Sequence, residues 1–368
     1  MHAPAVDDAR PGLRAVDAEA LPASLAALQA LAWSPQAFGA RLPDLLGQCA
    51  ALSACARTPW LAGMREVARR AWALPAGVRD AWATLLAEWA DWPLLLAVAD
   101  ATPEDDDRPE WVSRLVAIAR FRSGDPVAAI AACRRVLLLR PDAAWAVELH
   151  RACREWQAFL DRVPPIEDAT LRLEPLGHHH CADVAWQYWD PGIARLCCLP
   201  TFRDDGAWHR WLDECWGYGD QRLYAVLHRH WGFVGSVSLT MHDDLGFFYY
   251  WIGRDFQGQG LGPAAVRLLL ADAFEHRGMR ACYAKVFEDN VPSRRALARM
   301  GFEALDFRPA PPHDDELLYR LGPPQGRWHS AEALRGLFER MGSETRVAVP
   351  ILDSDALDGL TGSGRAVE

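Results

Sequence analysis

Chemistry in this chain concentrates first in Gln257-Gly258-Gln259-Gly260-Leu261-Gly262-Pro263. Three glycines in so short a run let a backbone come close to a ligand, and the residues that follow read as a helix. Free N–H groups at such a helix start point outward and favour an anion, a phosphate above all. The run lacks the Gly-Lys-Ser/Thr of a P-loop. The strands before it read as a meander, not the βαβ unit of a dinucleotide fingerprint. Downstream, Glu288-Asp289-Asn290 precedes Ser293-Arg294-Arg295-Ala296-Leu297, and Asp243-Asp244 precedes an aromatic run. Those carboxylates, Asp244 and Glu288 in particular, are the nearest candidates for proton transfer. Ser293 is a candidate donor or a helix cap.

The elements that position these residues follow from pattern. Alternation predicts strands over 170–174, 223–227, 233–241 and 247–252, with helical stretches rich in Trp and Cys between 183 and 216. In the helix after the glycine run, Val266, Leu269, Leu270, Ala273 and Phe274 form one apolar stripe. Gly262 suits its N-cap, Pro263 its first turn and Gly278 its stop. Another strand is expected over 281–287, a helix ending in Gly301-Phe302, and a closing strand over 317–321. In the tail, 330–341 reads as an amphipathic helix capped by Ser330, and 345–352 as an added strand.

Before Val163-Pro164-Pro165 the pattern is helical throughout. Trp111, Leu115, Ile118 and Phe121 share a face. Asp125 and Pro126 suit the cap and first position of a second helix that ends before Pro141. Helix, Gly turn, Ala-rich helix and Pro is similar to one tetratricopeptide repeat of roughly 34 residues. Segments 78–90 and 93–101 read as a degenerate pair before it and 143–160 as a capping helix. Such pairs form peptide grooves; a helical lid or a dimerisation arm is the alternative. The expected architecture is therefore a helical, repeat-like domain over 1–163, an α/β domain with a mixed, mostly antiparallel sheet over 166–322, and a tail extension over 323–368.

Gln257-x-x-Gly260-x-Gly262, followed by Asn290-x-x-Ser293 and Gly301-Phe302, resembles the signatures of the GNAT N-acetyltransferases. The opening Leu171-Arg172-Leu173-Glu174-Pro175-Leu176 and Leu297 look most like the ribosomal-protein N-acetyltransferase branch. The resemblance implies acetyl-CoA or a longer acyl-CoA as co-substrate and an amine as acceptor. It implies two splayed strands, 247–252 and 281–287, with the pantetheine arm between them. Tyr250, Trp251 and Ile252 would offer main-chain groups to that arm, residues 257–263 would hold the pyrophosphate, and Asn290 would touch the cofactor near its middle. The family's glutamate falls at Gly246 and its tyrosine acid at Leu297; Asp244 or Glu288, through water, are then the candidate bases, and Ser293 or water the candidate proton source for the thiolate.

Composition sets limits. The net charge is −10, without the basic footprint nucleic acid requires, and no apolar run approaches the roughly 20 residues of a membrane span. Nine scattered cysteines suit reduced thiols in a cytoplasmic protein. Adjacent His178-His179-His180-Cys181 cannot converge on one ion, so no metal is expected. Lys285 is the chain's only lysine. The aromatic run 247–251 reads as sheet packing, with an acyl tunnel as the other use. The large helical half motivates a peptide or protein acceptor. Long-chain acyl transfer to a lysine- or ornithine-type side chain, and a module that binds without catalysis, are the rival functions.

Overall fold

The computed structural model describes residues 92, 95–96, 110–188, 191–197 and 202–347. The chain divides into two compact units. The first holds the chain up to Glu174 with the short pieces Val226–Val234 and Arg254–Phe256; the second holds the rest.

In the first unit, α1 (Glu110–Arg122), α2 (Pro126–Leu139) and α3 (Ala144–Leu160) follow one another. Asp125 accepts from the Ala128 N–H at 2.9 Å and Pro126 opens α2, the cap that the sequence predicts. Small side chains bring these helices together: Ala117, Ala129, Ala146, Cys133 and Cys153 have no exposed surface. Around them Phe121, Ile130, Leu149 and Trp156 form the apolar filling. Glu110 accepts from Trp145 Nε1 at 2.7 Å and pairs with Arg140, tying the start of α1 to the end of α2 and the start of α3. After α3 come β1 (Ile166–Glu167) and β2 (Leu171–Pro175), paired antiparallel. The earlier helix pair expected over 78–90 and 93–101 lies, apart from residues 95 and 96, outside the described residues.

The second unit opens with a short 3-10 turn at His178–His180 and three helices, α4 (Cys181–Tyr188), α5 (Pro191–Cys197) and α6 (Asp205–Tyr218). The strands β3 (Gln221–His228), β4 (Gly232–His242) and β5 (Leu245–Ile252) make the expected meander. Then come α7 (Leu261–His276), β6 (Ala281–Phe287), α8 (Val291–Arg299), β7 (Glu303–Ala304), β8 (Glu316–Leu321) and α9 (Arg327–Arg340). Strand order within the unit is β3-β4-β5-β6-β8-β7. β5 and β6 run parallel; β4–β5, β6–β8 and β7–β8 are antiparallel.

Two helix starts differ from expectation. Helix α7 begins at Leu261, with Gly260 as N-cap at φ 76°, so Gly262 lies inside the first turn. The left-handed conformation at Gly260, costly for any residue with a Cβ, turns the chain into the helix earlier than the Gly-Pro pair suggests. Helix α9 begins at Arg327 behind Gly326, so Ser330 is an interior residue, 1% exposed, and not a cap. Nor is α9 an appendage. Leu334, Leu337 and Phe338 pack with Phe247, Tyr283 and Leu318 in one buried cluster. The strand expected over 345–352 reaches the described residues only as a single bridge between Pro309 and Val347.

Candidate active site

Strands β5 and β6 separate part-way along. Their parallel ladder has three partner pairs, Leu245 with Ala281, Gly246 with Cys282 and Phe247 with Tyr283, and ends there. β5 continues to Ile252 and β6 to Phe287, each held on its other side, β5 by Ser236 to Leu239 of β4 and β6 by Glu316 to Leu318 of β8. The edge of β5 that faces β6 therefore carries main-chain groups from Phe248 onward with no ladder partner. A backbone N–H or C=O in that position requires a side chain, water or a ligand.

Gly235 of β4, opposite Ile252, permits the close approach that fixes this end of β5. A Cβ there would lie 2.2 Å from the Trp251 carbonyl oxygen. This glycine has a structural role that the sequence pattern did not disclose.

The glycine run begins just beyond the open end of β5. Gln257 Nε2 donates to the Ile252 carbonyl at 2.9 Å, so the motif's glutamine ties the loop to the strand. Gly258 and Gly260 have φ of 77° and 76°, and a Cβ at either would meet nothing within 4 Å. Their outer side is open, as an anion cradle requires, and the N-terminal amides of α7 follow at once. Residues 257–260 are exposed, whereas Leu261 and Gly262 are buried. The donor set and the open glycine faces thus fit a diphosphate.

Across the loop, Tyr250 crosses Gly262 so closely that a Cβ would sit 2.4 Å from its ring. Its phenol shares a hydrogen bond with Ser293 in the first turn of α8. Burial raises the Tyr250 pKa, and the Ser293 bond offsets part of that rise. Asn290 caps α8, its Oδ1 accepting from the Ser293 N–H at 3.2 Å. Ser293 is therefore not the cap. Its hydroxyl faces Tyr250, a partnership invisible in the sequence because the two residues lie on different elements.

The acids fare differently. Asp244 precedes β5 at the end where the ladder is closed. Its carbonyl accepts from Arg280 N–H at 2.7 Å, and its carboxylate lies 3.7 Å from Arg280. At about 3.3 Å per residue it is roughly 20 Å of strand from Tyr250. The structure thus separates Asp244 from the open part of the gap. Glu288 does follow β6 at the open end, but Arg308 grips its carboxylate through both nitrogens, at 2.8 and 3.0 Å. That bidentate bond, with the guanidinium charge behind it, holds Glu288 below the usual carboxylate range. It is a poor proton acceptor.

Two further contacts bear on the gap. Cys197 of α5 lies 4.0 Å from the Tyr250 carbonyl, and Arg195 reaches Asp289 at 3.4 Å, so α5 touches both flanks. Lys285, on β6, is held by Glu316 at 2.9 Å and Thr345 at 3.2 Å.

Residues 170–303 match the family model described as the acetyltransferase (GNAT) domain. This segment is a GNAT domain. No curated protein matches the sequence. Among solved structures, the acetyl transferase from Salmonella typhimurium that modifies the N-terminal serine of 50S ribosomal subunit protein L7/L12 is 16% identical. That match covers 44% of this chain and 99% of that one, with a TM-score of 0.39. A GCN5-related N-acetyltransferase from Brucella melitensis is 19% identical over 43% of this chain and 77% of that one, again at a TM-score of 0.39. No described helix is long and apolar enough to cross a membrane.

Proposed function

We propose that the GNAT domain transfers an acetyl group from acetyl-CoA to a primary amine of a peptide or protein. The observation that supports this most strongly is the open edge of β5 after Phe247, which ends directly in the glycine cradle of 257–262. An extended thioester arm can lie along the β5 edge at Tyr250 and Ile252, which has no ladder partner on the β6 side, while its diphosphate takes the loop amides. Asn290, whose Oδ1 is used in capping, keeps its side-chain N–H groups for the arm.

In the transfer, the neutral amine nitrogen adds to the thioester carbonyl and a main-chain N–H of β5 stabilises the oxyanion. The carbon–sulfur bond then breaks, leaving an amide and a thiolate. Ser293 supplies the proton to sulfur and takes one in turn from the Tyr250 phenol, which regains its own from solvent. The amine nitrogen loses its proton to water. Neither Asp244 nor Glu288 is placed or charged to act as a strong base, so the acceptor must arrive with its amine already neutral or be deprotonated by solvent.

Incubating the full chain with acetyl-CoA and a peptide library tests this. The expected result is free thiol released in step with acetylated peptide. Release only with small amines would overturn the peptide acceptor, and binding of acetyl-CoA without turnover would make the domain a binding module.

A further inference from the structure

Lys285 carries the only lysine amine in the chain, and its strand β6 is one wall of the gap. The last rung of the β5–β6 ladder joins Phe247 to Tyr283. Lys285 lies two residues past that rung, about 7 Å into the separated part. Continued beyond the rung, the same register sets it level with Tyr249. Alternation turns its side chain to the face of Tyr283, and turns Tyr250, with Ser293 beside it, to the other. An amine on Lys285 therefore approaches a thioester in the gap from one face, while the proton donor for sulfur stands on the other.

Its neighbours include a proton acceptor. Nζ lies 2.9 Å from the Glu316 carboxylate and donates to Thr345 Oγ1 at 3.2 Å. The Glu316 side chain is 3% exposed and that of Lys285 24%, so the carboxylate is buried while the amine still meets solvent. Glu316 stands on β8, across β6 from the gap. The contact holds the amine on the β8 side, and a turn of its flexible four-carbon stem carries it back across its own strand.

We propose that Lys285 is a site of self-acetylation, at which bound acetyl-CoA passes its acetyl group to the chain's own lysine. The inference rests on the acyl-CoA reading given above. Glu316 takes one proton from the ammonium of the ion pair. The neutral amine turns into the gap and adds to the thioester carbonyl. Its nitrogen then releases a second proton to water, the carbon–sulfur bond breaks, and sulfur takes a proton through Ser293. Of the three ammonium protons, one stays on the amide nitrogen, one stays on Glu316, and the third is balanced by the one gained at sulfur. Two opposite charges vanish together. A buried carboxylate that lost its cation and stayed ionised would be costly; the protonated carboxyl is not left as a lone charge. Tethering to the gap wall also spares this amine the encounter that a free acceptor needs.

Incubating the full chain with acetyl-CoA and no peptide, then mapping its fragments by mass spectrometry, tests this. One acetyl group should appear on Lys285, at a rate per chain that does not change with protein concentration. Lys285→Arg should leave no acetylated side chain. Ser293→Ala should slow the modification about 100-fold, in step with its effect on peptide acetylation. Glu316→Gln should slow it by a similar factor, and a faster reaction would make Glu316 a restraint and overturn its part as proton acceptor. Lys285 left unmodified in protein that binds acetyl-CoA overturns the inference and leaves peptide transfer standing. An unchanged rate in Ser293→Ala means plain chemical acetylation, which overturns it as well. A rate that rises with protein concentration moves the reaction to a second chain and overturns its self-directed part. No binding of acetyl-CoA at all overturns the underlying functional reading instead.

Discussion

Ser293 and Glu288 stand a few residues apart in the sequence and have opposite prospects. Ser293 is joined to a phenol whose pKa is raised by burial, so the pair stays protonated and able to donate past the usual tyrosine range near pH 10. Ser293→Ala should lower kcat by about 100-fold, within the range of general acid catalysis, with KM for acetyl-CoA little changed. Tyr250→Phe should lower it less and leave the alkaline limb of the pH profile without its tyrosine contribution. Steady-state rates from pH 6 to 10.5 check both. Glu288→Gln should cost less than about tenfold, since a carboxylate already neutralised by Arg308 contributes little as a base. Steady-state kinetics of that variant across the same pH range settle the point, and a 1,000-fold loss would restore Glu288 to the mechanism. Gly262→Ala displaces the Tyr250 ring and should reproduce the Tyr250→Phe rate. Gly258→Ala meets open space but forces φ 77° on a residue with a Cβ, and should cost about 1–2 kcal/mol in denaturant unfolding. Sequence made the glycine loop and the Asn290-x-x-Ser293 segment legible because both are local. It hid the Tyr250–Ser293 bond and the Arg308 clamp on Glu288, which join residues 43 and 20 positions apart.

Elements were read well where one periodicity runs uninterrupted. Strand β6 occupies 281–287 as expected, and α2 follows its Asp-Pro start. Short pairings such as β1 and β7, two residues each, leave no periodic trace. Helix α9 was legible as an amphipathic helix, but its partner was not, since sequence does not show which apolar surface meets it. Phe338 is 2% exposed and packs edge-on against Phe247, the residue at which the β5–β6 ladder ends. Phe338→Ala should therefore destabilise the second unit by about 3–5 kcal/mol, measured by urea unfolding. Acetyl-CoA affinity should fall with it, because the last ladder pair loses its support. A loss under about 1 kcal/mol would mean that α9 is an ornament on the fold.

At the scale of the chain, stability should depend on pH through His228. Burial, with His230 nearby, holds its pKa down at about 4 against an ordinary 6.5. The unfolded chain then binds the proton first, so the contribution is complete above pH 6.5 and is lost as pH falls toward 4. The most this one group can remove is about 3 kcal/mol. His228→Gln should flatten that part of the curve in unfolding experiments at pH 7, 5.5 and 4; an unchanged slope would place the effect elsewhere. The central claim concerns the open strand edge and the glycine cradle acting together on one ligand. Amide hydrogen exchange of the full chain with and without acetyl-CoA measures that directly. The account predicts slowed exchange over Tyr250 to Ile252 and over Gln257 to Gly262, together and saturably. Unchanged exchange at both segments under saturating acetyl-CoA, or protection confined to other parts of the chain, would contradict it.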